Sequence, residues 1–151
     1  MSSHDDGLDL RVKVALYRRF AETGRRPSVD QVAADVGAGA EAVLAAYRRL
    51  FAKRVLVLDG DGSSIRMAPP FSGVPTQHVV ESNGIRYFAN CAWDALGVPV
   101  ALHQSATVRS RCGESNEPLT LEVGPQGPGP STWVFHCLVP AAHWWDDIVF
   151  T

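Results

Sequence analysis

Cysteine is scarce in this chain, and the spacing of its three copies excludes several classes of protein. Cys91, Cys112 and Cys137 are an odd number at wide separations, with no Cys-x-x-Cys pair and no zinc-type grouping with histidine. A disulfide-rich secreted scaffold and a structural zinc module are therefore not expected. The pattern predicts a cytoplasmic protein with at least one free thiol.

An excess of basic charge and a long apolar run are also missing. The 151 residues include 14 Lys and Arg against 16 Asp and Glu, a net charge of −2, so no overall field would draw the chain to nucleic acid or to an anionic membrane. The apolar runs are short and interrupted, which argues against a membrane span. Residues 1–9 are polar and acidic, unlike a secretory signal. With 46% hydrophobic residues, the chain is expected to bury a core, as one domain or two small ones.

The first half, residues 1–67, has helical periodicity. Its predicted elements are a helix over about Leu8–Glu22, a short helix after Ser28 with Gln31 as its capping-box partner, a helix over about Ala40–Lys53, and a hairpin from Val55 to Met67. This order is typical of a winged-helix module, which raises DNA binding as a possible function. The third helix does carry four basic residues, Arg48, Arg49, Lys53 and Arg54. A solvated helix face is the favoured interpretation, because the whole chain is slightly acidic and shows no dimerisation segment.

The second half is predicted to be mostly antiparallel sheet with one short helix, after a Pro- and Gly-rich linker at residues 68–76. The predicted strands of this domain, residues 77–151, are His78–Glu81, Ile85–Phe88, Thr107–Ser110, Leu119–Val123 and Trp133–Val139, the first two joined by an Asn83-Gly84 turn. The helix is expected to start at an Asn90 cap and to stop near Gly97, before Pro99. The fold class is therefore α+β.

The most informative pair is Cys91 and Asp94, which a helix would place on one face. In a first helical turn, free backbone N–H groups and the helix dipole would favour the thiolate of Cys91. A thiolate with a carboxyl beside it can hold a soft metal and move a proton. A small buried cysteine beside a solvated carboxylate is the alternative interpretation.

Four segments resemble the alkylmercury lyase (organomercurial lyase) family. They are Gly73–Thr76, Arg86–Leu96, Ser110–Cys112 and Pro118–Leu121, and the most specific is the Cys-Ala-x-Asp-x-Leu pattern from Cys91 to Leu96. The resemblance implies protonolysis of a carbon–mercury bond, with Cys91 as the thiolate on mercury, Asp94 as the proton carrier and Cys112 as a structural cysteine. It also implies a small organometallic substrate and no resident cofactor. With one thiolate on mercury in place of two, we expect a small exogenous thiol to fill the empty position.

One part of the family pattern is not matched. The family's second active-site cysteine follows the segment that here reads Trp144 to Thr151, and no cysteine of these 151 residues stands at that position. Cys137, on a predicted strand, is either a core residue or a substitute second thiol. Two further functions stay open: a soft-metal binder for mercury(II) or copper(I) that cleaves nothing, and a relative that uses Cys91 as nucleophile and Asp94 as acid in biosynthetic chemistry.

Overall fold

Three helices open the chain in the computed structural model, which describes residues 3–149, with side chains from residue 6 onward. They are α1 (Ser3–Thr23), α2 (Val29–Val36) and α3 (Ala40–Ala52). The predicted apolar stripe of α1 is buried against the other two helices, and Ser28 and Gln31 form the predicted capping box. Gly24 ends α1 with a φ of 68°, and a Cβ there would lie 2.1 Å from the carbonyl oxygen of Arg86. Only glycine fits this close approach.

Two antiparallel sheets follow the helices. The smaller sheet has the order β1-β2-β3, and the larger has the order β5-β4-β6-β7-β8. Their bounds are β1 Val57–Leu58, β2 Ile65–Ala68, β3 Phe71–Ser72, β4 Val79–Ser82, β5 Ile85–Phe88, β6 Ala106–Arg111, β7 Pro118–Gly124 and β8 Gly127–Pro128. Helix α4 (Ala92–Leu102) packs on the larger sheet. The predicted α+β class is confirmed.

One continuous core joins the helices to both sheets. Its members include Val12 and Phe20 of α1, Phe71 of β3, and Val80 and Val108 of the larger sheet. Phe71 lies in the segment 68–76, predicted as a linker, and there it forms β3 and a bridge to Ala89. The division into units 1–67 and 77–151 stays a prediction. No helix in the described range, residues 3–149, is long and apolar enough to cross a membrane.

The predicted stop of α4 near Gly97 is wrong. The helix continues through Gly97 and Pro99 to Leu102, and His103 caps it at a φ of 53°. Pro99 removes one backbone donor from the helix. Pro99 and Val98 are buried, however, so tertiary packing outweighs the local preference to end the helix.

The predicted strand Trp133–Val139 is also wrong, because residues 129–140 form neither helix nor strand. Alternating apolar residues need a neighbouring strand, and β8 already occupies the edge of β7. Val134 and Leu138 are therefore left 86% and 81% exposed. A short 3-10 helix, Ala141–Asp146, follows this segment.

Candidate functional site

Cys91 lies at the junction between the larger sheet and α4. It is the N-cap residue of α4, with extended backbone at φ −148° and ψ 179°, and its carbonyl oxygen accepts a bond from the N–H of Ala95 at 3.0 Å. The prediction that Asn90 caps this helix is therefore wrong by one residue. The side chain of Asn90 instead contacts Asp94, which lies in the first turn of α4.

The expectation that the helix start favours the Cys91 thiolate is wrong in its net effect. Burial raises the pKa of Cys91, and the negative charges of Asp94 and of a Cys137 thiolate raise it further. The backbone N–H groups of Asp94 and Trp93 act in the opposite direction and lower the pKa. The effect of burial is the largest, so the free protein holds Cys91 as a protonated thiol at neutral pH.

Asp94 is a half-buried carboxyl that is held by one neighbour. Burial raises the pKa of Asp94, while a hydrogen bond from Asn90 lowers it. Asn90 Nδ2 lies 2.8 Å from Asp94 Oδ2 and 3.2 Å from the carbonyl oxygen of Phe71, so it donates to both. The contact of Asn90 with Asp94 was missed in the sequence, where Asn90 was expected to cap the helix, because it depends on the turn that leads into α4.

Tyr17 brings α1 to the same region. Its hydroxyl donates to the carbonyl oxygen of Pro69 at 3.1 Å, and its ring packs edge-on to Phe71 with the ring centroids 6.4 Å apart. Burial and the charge of Asp94 raise the pKa of Tyr17 to about 12, so it stays a neutral phenol. No local sequence pattern could have indicated the effect of Asp94 on the pKa of Tyr17, because the two residues are far apart in the chain.

The segment after β8 passes close to the start of α4. The rings of Trp93 and Phe135 are 5.6 Å apart at 47°, and Cys137 lies close enough for its charge to affect the pKa of Cys91. Cys137 is exposed, and its thiol donates to the carbonyl oxygen of Val139 at 2.9 Å. The interpretation of Cys137 as a core residue is therefore wrong, while its possible role as a second thiol stays a prediction.

Cys112 has a separate environment, in the turn after β6. Its backbone N–H donates to the carbonyl oxygen of Glu117, and its own carbonyl oxygen accepts from Asn116. The side chain and the backbone N–H of Ser115 lower the pKa of Cys112. These contacts fit a cysteine that shapes a turn.

Two features bear on the other interpretations of the sequence. Across residues 3–149, no group of three or more His, Cys, Asp and Glu side chains is arranged to hold a metal ion. Arg49 of α3 and Lys53, just after α3, form ion pairs with Asp9 of α1 at 2.7 Å and 3.2 Å, which neutralises part of the basic face.

Comparisons with known proteins point to one family. The family model for alkylmercury lyase, MerB, matches residues 71–151, more than half of the chain, including Cys91 and Asp94. A curated alkylmercury lyase of Pseudomonas putida is 41% identical over 51 residues, which are 34% of this chain and 24% of that protein.

A solved structure shows the same fold. The crystal structure of the mercury-bound form of MerB2 matches with a TM-score of 0.63 and 22% identity, over 80% of this chain. The present chain spans 59% of that chain's length. On the match of the family model, this chain belongs to the alkylmercury lyase family.

Proposed function

We propose that this chain cleaves the carbon–mercury bond of organomercurials by protonolysis, with Cys91 holding mercury and Asp94 carrying the proton. One observation carries the proposal. Within the region that matches the family, a half-buried thiol at the start of α4 and a half-buried carboxyl in its first turn lie close enough for the carboxylate charge to raise the pKa of the thiol. Thiolate is the softest ligand that a protein offers to mercury(II), and the carboxyl is a proton acceptor within one helical turn.

The reaction begins with exchange of a ligand on mercury. The Cys91 sulfur replaces the leaving ligand of the organomercurial, and the thiol proton passes to the Asp94 carboxylate. The raised pKa of Cys91 suits this step, because the proton leaves only when mercury takes its place on sulfur. The raised pKa of Asp94 suits the acceptance of that proton.

The second step breaks the carbon–mercury bond. The protonated Asp94 gives its proton to the carbon, the electron pair of the carbon–mercury bond forms the new carbon–hydrogen bond, and mercury(II) stays on sulfur. No electrons are gained or lost overall. A positioned proton donor of this kind contributes about a hundred- to ten-thousandfold in rate.

A second sulfur would stabilise the mercury(II) that the reaction leaves on Cys91. Cys137 is the described thiol whose charge reaches Cys91, and its exposure would let it turn towards the metal. A small exogenous thiol would fill the same place and then carry the metal away. A reducing cytoplasm would supply that thiol and keep both cysteines reduced.

Release of benzene from a phenylmercury salt, in the presence of excess small thiol, tests the proposal. We expect turnover by the unmodified chain, none by Cys91→Ser, and a loss of about a hundredfold or more in Asp94→Asn. Cys112→Ser, a change at a cysteine outside the site, is the matched control and should keep its activity. Binding of phenylmercury at Cys91 without release of benzene would instead support a soft-metal binder. Activity that persists in Cys91→Ser would contradict the assignment.

A further inference from the structure

Asn90 connects the carboxyl of Asp94 to the core of the protein. Its side-chain nitrogen Nδ2 has two hydrogens, and each faces an oxygen: Oδ2 of Asp94 at 2.8 Å and the carbonyl oxygen of Phe71 at 3.2 Å. An amide oxygen in the same position would face two acceptors, so these contacts determine which way the amide points. Asn90 Oδ1 is buried and has no hydrogen-bond partner in the described residues. The amide is therefore held by its donor side.

The anchor at the other end of this connection is rigid. Phe71 is 3% exposed, and its ring stacks on Phe20 with the centroids 5.5 Å apart and an angle of 8° between the planes. Its neighbour Ala89, just before Asn90, forms a bridge with Phe71 and donates its N–H to the carbonyl oxygen of His78. The backbone on both sides of the Asn90 amide is thus fixed by the core.

We propose that Asn90 is a positioning residue, which holds one oxygen of Asp94 so that the other is presented to the proton of Cys91. The inference rests on the proposed protonolysis, since it assigns a role within that reaction. The side chain of Asn90 donates to Asp94 and to Phe71, so in this role it acts on the reaction through Asp94. Without the amide, the carboxyl loses the hydrogen bond that holds its Oδ2, and we expect the geometry of the proton transfer to be lost with it. Misplacement of a reacting group by about 1 Å costs on the order of a hundredfold in rate.

A double-mutant cycle on the cleavage of phenylmercury tests this role. We expect Asn90→Leu to lower kcat by about ten- to a hundredfold, with a small change in KM, because mercury capture by Cys91 does not need the amide. In the Asp94→Ala background, Asn90→Leu should cause no further loss, since its effect passes through the missing carboxyl. Asn90→Gln, which keeps an amide donor, should recover part of kcat.

The controls separate positioning from stability. Ser82→Ala removes a buried hydroxyl that donates to the carbonyl oxygen of Ser105, near the opposite end of α4, and should lower stability without lowering kcat. Asn90→Ser also removes the amide with a smaller side chain than leucine, and it is the second variant to measure if Asn90→Leu does not fold. If Asn90→Leu lowers kcat by the same factor with and without Asp94, the proposal is overturned. It is also overturned if Ser82→Ala lowers kcat as much as Asn90→Leu does.

A readout without turnover distinguishes this inference from the proposed function. The side-chain NH₂ protons of Asn90 should exchange slowly in an NMR spectrum and shift strongly in Asp94→Ala, whatever the chain cleaves. If the unmodified chain releases no benzene but the NH₂ signals exchange slowly and shift in Asp94→Ala, the proposed protonolysis is wrong and the hydrogen bond from Asn90 to Asp94 is still supported. If benzene is released and the signals do not respond to Asp94→Ala, the positioning role fails alone.

Discussion

The ring of Phe71 in β3 stacks on the ring of Phe20 in α1, with the ring centroids 5.5 Å apart and the planes 8° from parallel. The tyrosine ring of Tyr87 packs against the same phenylalanine, 5.8 Å away. The backbone oxygen of Phe71 accepts the bond from Asn90, so the aromatic group that joins the helices to the sheets also supports the site. Helix α1 therefore contacts the same residue, Phe71, that accepts a hydrogen bond from Asn90 next to Cys91.

Truncation of Phe71 should cost much of the stability. We expect Phe71→Ala to lower the free energy of unfolding by about 3–5 kcal/mol, since it removes a buried ring and leaves a cavity. Phe51, which is 47% exposed on α3, offers a matched control, and Phe51→Ala should cost much less. Urea denaturation followed by circular dichroism measures both. Similar losses in the two variants would contradict the central place of Phe71 in the core.

Cys137 should strengthen the retention of mercury. After loading with mercury(II), Cys137→Ser should release the metal to a competing small thiol at least about tenfold more readily than the unmodified chain, because a second sulfur on the same chain acts at high effective concentration. Cys112→Ser removes a thiol from the turn after β6 and should leave retention unchanged. Titration with the competing thiol, followed by elemental analysis of the protein, measures the difference. Equal retention in both variants would exclude Cys137 as a ligand.

Local patterns correctly predicted two kinds of element: those that pair with a segment nearby in the chain, and those that need only an apolar surface to pack against. The spacing of Val12, Leu16 and Phe20 predicts a buried helical face, and any apolar layer would satisfy it. The alternation from Trp133 to Val139 failed because a strand also needs an edge to pair with, and β8 already pairs with that edge of β7. The predicted end of α4 before Pro99 failed because the burial of Pro99 and its neighbours outweighed the local tendency of proline to end a helix.

The placement of Cys91 and Asp94 was predictable from the sequence, whereas the pKa shift of Cys91 was not. The separation of Cys91 and Asp94 by three residues predicts that both lie in one turn, and the structure places them at the start of α4. The direction of the Cys91 pKa depends on burial, which comes from tertiary packing and is invisible in a motif. The two bonds of Asn90 depend likewise on Phe71, whose strand lies in the predicted linker.

The two cysteines with opposite pKa shifts should be distinguishable by pH. Burial raises the pKa of Cys91, and hydrogen bonds from Ser115 lower that of Cys112, from an ordinary value of 9.0. Since only thiolates are alkylated, the rate for Cys112 should reach half of its plateau below pH 9.0, and the rate for Cys91 above it. Asp94→Asn should move the Cys91 midpoint to lower pH by removing a nearby negative charge. Iodoacetamide labelling with mass spectrometry of the peptides measures each midpoint, and the reverse order would contradict the prediction.

The ion pairs of Asp9 should make part of the stability dependent on pH. Asp9 is 3% exposed and accepts bonds from Arg49 Nε at 2.9 Å and Lys53 Nζ at 3.2 Å. Burial alone would raise the pKa of Asp9, but these two cations outweigh burial and lower the pKa below its ordinary 3.8. At neutral pH we expect Asp9→Asn to cost about 1–3 kcal/mol of unfolding free energy, because Arg49 and Lys53 lose a charged acceptor.

The sign of the pH effect follows from the lowered pKa of Asp9. Its stabilising contribution is fully present above pH 3.8 and is lost as the pH falls further, through the pKa of the folded state. The difference between Asp9→Asn and the unmodified chain should therefore be constant from pH 7 to about pH 5 and shrink below pH 3.8. Asp35→Asn, which breaks the half-exposed pair with Arg19, is the control and should change stability much less. Urea denaturation at each pH measures the difference, and a gap that widens on acidification would show that Asp9 is not stabilised as a carboxylate.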